Sequence, residues 1–192
     1  GTDMKITAVE TYWTQIPYNM GGKAAVLSGI NAQGMNTVWL RIVTDQGIDG
    51  WGEAFGHAGS AASLAVLNSQ LAPALVGQDA RDIAGLRQRL SHSYHLFGRN
   101  GAHVFALSAM DIALWDIAGK AAGLPLWRLL GGSPPKPMRA YASLLRYGTA
   151  DLVAKNCEAA IERGYQDIKL HEITLPEIEA ARDASGPDVR IM

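Results

Sequence analysis

The chain has 192 residues, of which 48% are hydrophobic and 18% are charged, and its formal net charge is −1. The balance of 17 Lys and Arg against 18 Asp and Glu excludes the basic surface of nucleic-acid-binding or membrane-surface proteins. No apolar run approaches the roughly 20 residues of a membrane span, and the N-terminus lacks a secretory pattern. The single Cys157 rules out an internal disulfide, so the composition predicts a cytoplasmic protein.

The first fifty-odd residues have the pattern of an antiparallel sheet. The segments KITAVETYWTQI, TVWLRIVTD and GWGEAF are rich in β-branched and aromatic residues, and the first of them ends at Pro17. The Asp and Gly residues of DQGIDG supply a reversing turn between the last two segments. The connection YNMGGKAAVLSGINAQG is too long for a tight turn, and such connections are often functional lids.

From Ser60 onward the pattern becomes helical. SAASLAVLNSQLAPALVG is interrupted at Pro73, and DARDIAGLRQRLSHSYHLF has apolar residues near i, i+3 and i+4. AHVFALSAMDIALWDIAGKAAG predicts the strongest helix, which Gly123 and Pro125 bring to an end. Its predicted buried stripe consists of Val104, Leu107, Ala109, Met110, Ala113, Leu114, Ile117 and Ala118.

The segment after the linker LLGGSPPKP alternates between strand and helix patterns. MRAYASLL, YQDIKLHEI and DVRIM predict strands, and TADLVAKNCEAAIERG and LPEIEAARDAS predict helices. This alternation is typical of parallel βα units. An eight-fold βα barrel needs about 250 residues. We therefore expect an α+β domain over residues 1–132 and only the first βα units of a barrel over residues 133–192.

The run AMDIALWDIAGKAAGLPLWRLLGG resembles the signature of the mandelate racemase and muconate lactonizing enzyme group within the enolase superfamily. TDQGIDGWGEAF is similar to the capping-domain hairpin of the same group. The resemblance implies an α+β capping domain over a (β/α)8 TIM barrel, with mobile loops that close on a small carboxylate substrate. The matching positions are Asp111, Ala113, Asp116, Gly119, Lys120, Pro125, Leu129, Leu130 and Gly131. Asp111 and Asp116 look structural in this signature and are expected to join the cap helix to the barrel.

The resemblance also implies where the site residues lie. In that family the second barrel strand carries a Lys-x-Lys pair or a variant, and the next three strands supply acidic ligands for a magnesium ion. By resemblance Lys169 and His171 occupy the two positions of that pair, with His in place of the second Lys. The first metal carboxylate is expected just beyond Met192, so no magnesium ligand is expected in this chain.

Further substrate contacts are expected in loops and on the first barrel strand. The family's lid loops imply contacts for Tyr18, Asn19, Met20 and His57. Tyr18, Asn19 and Met20 could equally lie at a solvated loop tip. His57 could equally make a structural hydrogen bond at the start of a helix. Ser143 is a candidate near the C-terminal end of the first barrel strand.

The pair Lys169 and His171 suits removal of a proton alpha to a carboxylate. Their side chains point the same way on a strand. The enediolate formed is stabilised by a divalent cation and by ammonium groups, and a base must reach the carbon. A protonated Lys169 would keep the imidazole neutral, which predicts His171 as base or acid. Glu172 is expected to be a partner on the helix side or the surface.

Two alternatives for Lys169 and His171 are also compatible with the sequence. Lys-x-His spacing alone is also typical of a solvated strand face. Lys169 could instead bind the carboxylate while the main base lies elsewhere on the barrel.

The resemblance implies a magnesium-dependent enzyme that is either a sugar-acid dehydratase or an isomerase (racemase, epimerase or cycloisomerase), and His in the pair slightly favours the dehydratase. The alternative is an inactive fragment, or one part of a split enzyme that needs the remaining barrel segment, because an open sheet leaves a strand edge unpaired. We expect a small carboxylate substrate and a homo-oligomer, and no nucleic-acid or membrane partner.

Overall fold

The computed structural model describes residues 3–22, 26–27, 30–31 and 34–192, with the backbone alone described for 26–27 and 30–31. The chain divides into two compact units. The first comprises Gly1–Ile16 and Gly34–Pro134, and the second comprises Pro17–Gln33 and Pro135–Met192, within the described residues. The division at residue 132 stays a prediction, and the units differ from it in grouping the described part of Pro17–Gln33 with the C-terminal segment.

The first unit contains a three-stranded sheet in which β1 (Ile6–Pro17), β4 (Gly34–Thr44) and β5 (Asp49–Ala54) are neighbours in that order. β4 and β5 pair in an antiparallel register, with Leu40 opposite Gly52 and Arg41 opposite Trp51. Along β4 the residues Val38, Leu40 and Ile42 are fully buried, whereas the alternate side chains are partly exposed, as expected for a sheet with one face on the core. The predicted strands are thereby confirmed. Two further short strands, β2 (Val26–Leu27) and β3 (Ile30–Asn31), lie between β1 and β4 along the chain.

β2 and β3 form a short antiparallel ladder within the long connection that was predicted to be a loop. Residues 23–25, 28–29 and 32–33 of that connection lie outside the described residues. The prediction that this connection is a lid can therefore be followed only in its described residues, which include Tyr18, Asn19 and Met20.

One helical segment runs from Ser60 to Leu75 with a change of pitch in the middle. α1 (Ser60–Val66) passes into a π-helical turn (Leu67–Leu71) and then into α2 (Ala72–Leu75). Proline lacks a backbone N–H, and its ring crowds the carbonyl four residues earlier. The π-helical turn lies just before Pro73, where a regular α-helical ladder cannot continue. The predicted interruption is thus a widened turn inside a continuous helix.

α4 (Ala102–Ala122) is the central helix of the first unit, and α3 (Ile83–Ser93) packs beside it. Gly123 follows α4 in the left-handed conformation at φ 64°, as predicted from its position. Six of the eight predicted stripe residues are buried, and the other two, Val104 and Ala118, are half-buried.

Two glycines let α4 lie directly on β5. A Cβ atom at Gly52 would stand 2.0 Å from the Ala109 carbonyl oxygen, and one at Gly50 would stand 2.1 Å from that of Ala113. The helix backbone therefore touches the strand backbone at the centre of the core. This approach explains why side chains are excluded from both positions.

α4 is also long and apolar enough to meet the length and composition criteria for a membrane span, which the sequence analysis did not anticipate. Buried core helices meet the same criteria. The contacts of α4 with β5, α1 and α3 make it the core helix of this unit.

The signature carboxylates bind within the first unit. Asp116 accepts a hydrogen bond from the Trp51 backbone N–H at 2.9 Å and pairs with Lys120 at 2.8 Å. Asp111 pairs with Arg87 of α3 at 3.4 Å. These contacts join α4 to β5 and α3. A role in joining the cap helix to the barrel stays a prediction.

The second unit alternates between strands and helices, which are β6 (Ala142–Ser143), α6 (Ala150–Glu162), β7 (Asp167–Lys169), α7 (Leu175–Ser185) and β8 (Arg190–Ile191). Its parallel sheet has the order β6–β7–β8. Its strands are shorter than predicted, with two or three residues each. Val153, Cys157 and Ala160 of α6 and Ala181 of α7 form a buried cluster with Ile168 of β7. The short helix α5 (Leu126–Leu129), which follows α4, still belongs to the first unit.

Candidate functional site

The parallel sheet of the second unit has one face covered by helices and one face left open by them. Ala142, Ile168 and Ile191 form one row across the three strands, and all three pack on the helix side. Side chains alternate along a strand. The next row, in which Ser143 pairs with Lys169, therefore points away from α6 and α7.

Lys169 and His171 lie on this open face at the C-terminal end of β7. Lys169 is the last residue of the strand and is half-buried, and His171 follows two residues later and is exposed. Leu170, between them, packs against the helix-side cluster. The alternation that placed the two side chains together is thus present, although the strand itself ends at Lys169.

The His171 ring is held by a backbone carbonyl. Its Nδ1 lies 2.5 Å from the Leu144 carbonyl oxygen. Because a carbonyl oxygen only accepts hydrogen bonds, Nδ1 must carry the hydrogen. In the neutral ring Nε2 is then unprotonated and free to accept a proton.

Glu172 points to the other side and binds the loop between β6 and α6. Its carboxylate accepts hydrogen bonds from the backbone N–H groups of Tyr147 at 2.5 Å and Gly148 at 3.3 Å. Burial raises the pKa of the Tyr147 hydroxyl, and the Glu172 charge acts in the same direction. The sequence predicted a partner on the helix side or the surface, whereas these contacts are made to a loop.

A cavity of about 840 Å³ lies beside β6 in the second unit. Tyr18, Asn19, Met20 and Ser143, four of the predicted substrate-binding residues, line it. Lys169 and His171 are not among the lining residues that the structure describes. The structure therefore brings Tyr18, Asn19 and Met20 together with Ser143 around one cavity, while Lys169 ends β7 and His171 follows two residues later. The substrate contacts of these residues stay a prediction.

Asn156 of α6 holds the segment around Gly21, and sequence reasoning missed this contact. Its Nδ2 donates to the Gly21 carbonyl oxygen at 3.0 Å and to that of Leu152 at 2.8 Å. The Gly21 N–H in turn donates to Asn19 Oδ1 at 2.9 Å. A contact between residues 135 positions apart leaves no local signal in the sequence.

His57 belongs to the first unit. Its φ of 42° is in the left-handed region, which a residue other than glycine seldom adopts. The ring meets Phe55 edge to face at 5.1 Å, and its carbonyl oxygen accepts a hydrogen bond from the Ser60 hydroxyl. Its substrate contact stays a prediction.

Across the described ranges, no group of three or more His, Cys, Asp or Glu side chains is placed to hold a metal ion. Asp167 on the open face is the buried carboxylate of β7, and it is already paired with Arg139 and Arg190. Asp167 and its two arginine partners therefore do not by themselves form a magnesium site.

Comparison with known proteins gives consistent matches. Residues 5–131 match the model of the mandelate racemase / muconate lactonizing enzyme N-terminal domain. The chain is 34% identical over 198 residues to D-galactarolactone cycloisomerase of Agrobacterium fabrum. This alignment covers 98% of this chain and 51% of that protein. The chain is also 33% identical over 144 residues to a D-mannonate dehydratase of Sphingomonas sp., in an alignment that covers 73% and 34% respectively.

A solved structure is also similar. A member of the enolase superfamily from Agrobacterium tumefaciens superposes with a TM-score of 0.79 at 29% identity, over 99% of this chain and 54% of that one. The chain thus spans about half, or less, of the length of the proteins that it matches.

Proposed function

Because this chain belongs to the mandelate racemase/muconate lactonizing enzyme family, we propose that the complete protein removes a proton alpha to the carboxylate of a sugar acid. Its relatives include a cycloisomerase named for D-galactarolactone and a dehydratase named for D-mannonate. Both activities can begin with loss of such a proton. The observation that carries the proposal is the His171 ring, whose Nδ1 is held by the Leu144 carbonyl oxygen so that Nε2 can accept a proton, two residues after Lys169 at the end of β7.

In the proposed reaction Nε2 of His171 accepts the alpha proton. The electron pair left on carbon moves into the carboxylate and gives an enediolate. The Lys169 ammonium group, one row earlier on the same face, stabilises the charge that develops. In a dehydratase the protonated His171 then returns its proton to the leaving hydroxyl, and the His in this pair slightly favours that outcome over racemisation or epimerisation.

The proposal includes magnesium as cofactor. A bound divalent cation would act as a Lewis acid on the carboxylate oxygens. Its ligands are proposed to come from barrel strands outside this chain, since the described residues gather no such group. The roles given to His171 and Lys169 use only their own nitrogen atoms.

His171→Asn tests the base role in the full-length protein. Asparagine keeps a hydrogen-bonding side chain but cannot take the proton, so exchange of the alpha proton with deuterated water should fall about 10²- to 10⁴-fold. Proton NMR would follow exchange in a panel of sugar acids and lactones that includes D-mannonate and D-galactarolactone.

The matched control is His92→Asn, which changes an exposed His of α3 and should leave exchange unchanged. Undiminished exchange in His171→Asn would remove the base role. If exchange persisted in His171→Asn but was lost in Lys169→Ala, the alternative in which Lys169 binds the carboxylate and the main base lies elsewhere on the barrel would be favoured. If the unaltered protein exchanged no proton in any compound, proton abstraction itself would be rejected.

A second candidate is that the 192-residue chain acts only together with a complementary segment. The length of its relatives favours it, because the chain covers 51% of the cycloisomerase. The isolated chain should then show no exchange, and adding the remaining segment should restore it. Exchange by the isolated chain would contradict this candidate.

We also propose that the complete protein is cytoplasmic and forms a homo-oligomer.

A further inference from the structure

Two consecutive residues, His171 and Glu172, hold the same loop from opposite sides. His171 Nδ1 donates to the carbonyl oxygen of Leu144, where the loop begins. The Glu172 carboxylate accepts the N–H groups of Tyr147 and Gly148 in the middle of the loop. Neighbouring side chains of an extended segment point to opposite faces, so one short stretch of chain clamps the loop on both.

The two ends of this loop are fixed by backbone bonds. The Leu144 N–H donates to the Lys169 carbonyl oxygen at 2.9 Å, which continues the β6–β7 ladder. At the other end the Val153 N–H bonds the Thr149 carbonyl oxygen in the first turn of α6. Between them Gly148 has φ +69°, which favours glycine. The Glu172 carboxylate binds this middle part at two consecutive backbone N–H groups.

We propose that Glu172 is the positioning residue of His171. By anchoring Tyr147 and Gly148 it sets the direction of the Leu144 carbonyl group, and that carbonyl selects the ring tautomer with hydrogen on Nδ1. The inference rests on the proposed function, in which Nε2 takes the proton. Glu172 itself touches neither substrate nor the reacting atoms in this scheme.

The tautomer is a direct readout of the proposal. A neutral imidazole exists with its hydrogen on Nδ1 or on Nε2, and only the first form donates to Leu144. Loss of one ordinary hydrogen bond changes such a ratio by about three- to tenfold. Nitrogen-15 NMR of the labelled histidines in the full-length protein reports the ratio for His171 without reference to activity.

Three substitutions at one position separate positioning from general stability. Glu172→Gln keeps an acceptor oxygen at the same reach and should retain the Nδ1–H tautomer. Glu172→Ala removes the acceptor, and Glu172→Asp keeps the charge but is one methylene too short to bind both N–H groups. Both should lower the ratio of Nδ1–H to Nε2–H about three- to tenfold. Glu179→Ala, at an exposed position of α7, is the control that should change nothing.

If Glu172→Ala fails to fold, the His171 tautomer ratios of Glu172→Asp and Glu172→Gln still test the proposal. An unchanged tautomer in folded Glu172→Asp or Glu172→Ala would overturn the proposal. A shift in Glu172→Gln as large as that in Glu172→Asp would also overturn it, since Gln keeps an acceptor oxygen at the same reach and should therefore hold the loop.

Exchange in His171→Asn and the tautomer ratio in the Glu172 variants test the base role and the positioning role separately. If His171→Asn exchanges the alpha proton normally while the Glu172 variants shift the tautomer, the base role is wrong and the positioning contact stands. If His171→Asn is inactive and the tautomer never moves, the base role stands and the positioning contact is wrong.

Discussion

At the scale of single residues, the sequence indicated side-chain chemistry better than it indicated close packing. Lys169 and His171 were placed on one face by alternation, because a strand repeats every two residues whatever its surroundings. Gly50 and Gly52 were seen only as parts of a strand and turn. Their importance comes from the backbone of α4, which is more than fifty residues away in sequence.

Gly52→Ala should destabilise the protein. The new methyl group would stand 2.0 Å from the Ala109 carbonyl oxygen, so either β5 or α4 must shift. Such overpacking costs about 1–3 kcal/mol, occasionally more. Urea denaturation of the two proteins would measure the loss in free energy of unfolding.

Gly59→Ala is the control for that experiment. Gly59 has an ordinary φ of −95°, and a Cβ atom there would meet nothing within 4 Å. Its free energy of unfolding should stay within about 1 kcal/mol of the unaltered protein. Equal losses in both variants would show that close approach at Gly52 is not the cause.

At the scale of elements, the three parallel strands are joined by charge at their N-terminal ends. Asp167 of β7 is 3% exposed, and its carboxylate pairs with Arg190 of β8 and with Arg139, which precedes β6. The hydrogen bonds from Arg190 and then Arg139 hold the pKa of Asp167 below its ordinary value. At this end of a βα sheet, opposite to Lys169, such contacts serve stability.

Asp167→Asn should therefore destabilise the second unit in a pH-dependent way. A carboxyl group whose folded pKa is lowered stabilises the fold above its unfolded pKa of about 4, and loses that contribution as pH falls through the folded value. The difference in unfolding free energy between the unaltered protein and Asp167→Asn should be largest near neutral pH and should shrink below about pH 4.

Urea denaturation over a series of pH values would measure this difference. Asp183→Asn, at an exposed position of α7, provides the same chemical change away from the arginines. A difference for Asp167→Asn that stays constant with pH would mean that the ion pairs contribute nothing through charge.

At the scale of the whole molecule, the first unit is the α+β capping domain that the signature implied, and it is followed by the first βα units. In the described sheet, β6 and β8 each pair with β7 alone. Edge strands offer free backbone groups to other chains. We expect the isolated 192-residue chain to self-associate as concentration rises, and the full-length protein to do so less.

Light scattering of the isolated chain would measure this association. Met192→Lys places a charge beside the β8 edge and should lower the associated fraction. Met138→Lys makes the same change in the linker, where Met138 is 91% exposed, and should have little effect. A chain that stays monomeric at every concentration, or equal effects of the two variants, would contradict the role of the edges.

By itself the sequence determined the order of elements, most of the buried stripe of α4 and the glycine stop at its end. Each of these depends on spacing within a few residues, which hydrophobic burial and backbone geometry fix locally. Only the tertiary structure decided that Leu144 holds the His171 ring, that Glu172 binds the loop at Tyr147, and that Asn156 ties down Gly21. Those contacts join residues that are far apart along the chain, and their distances arise only when strands and helices pack together.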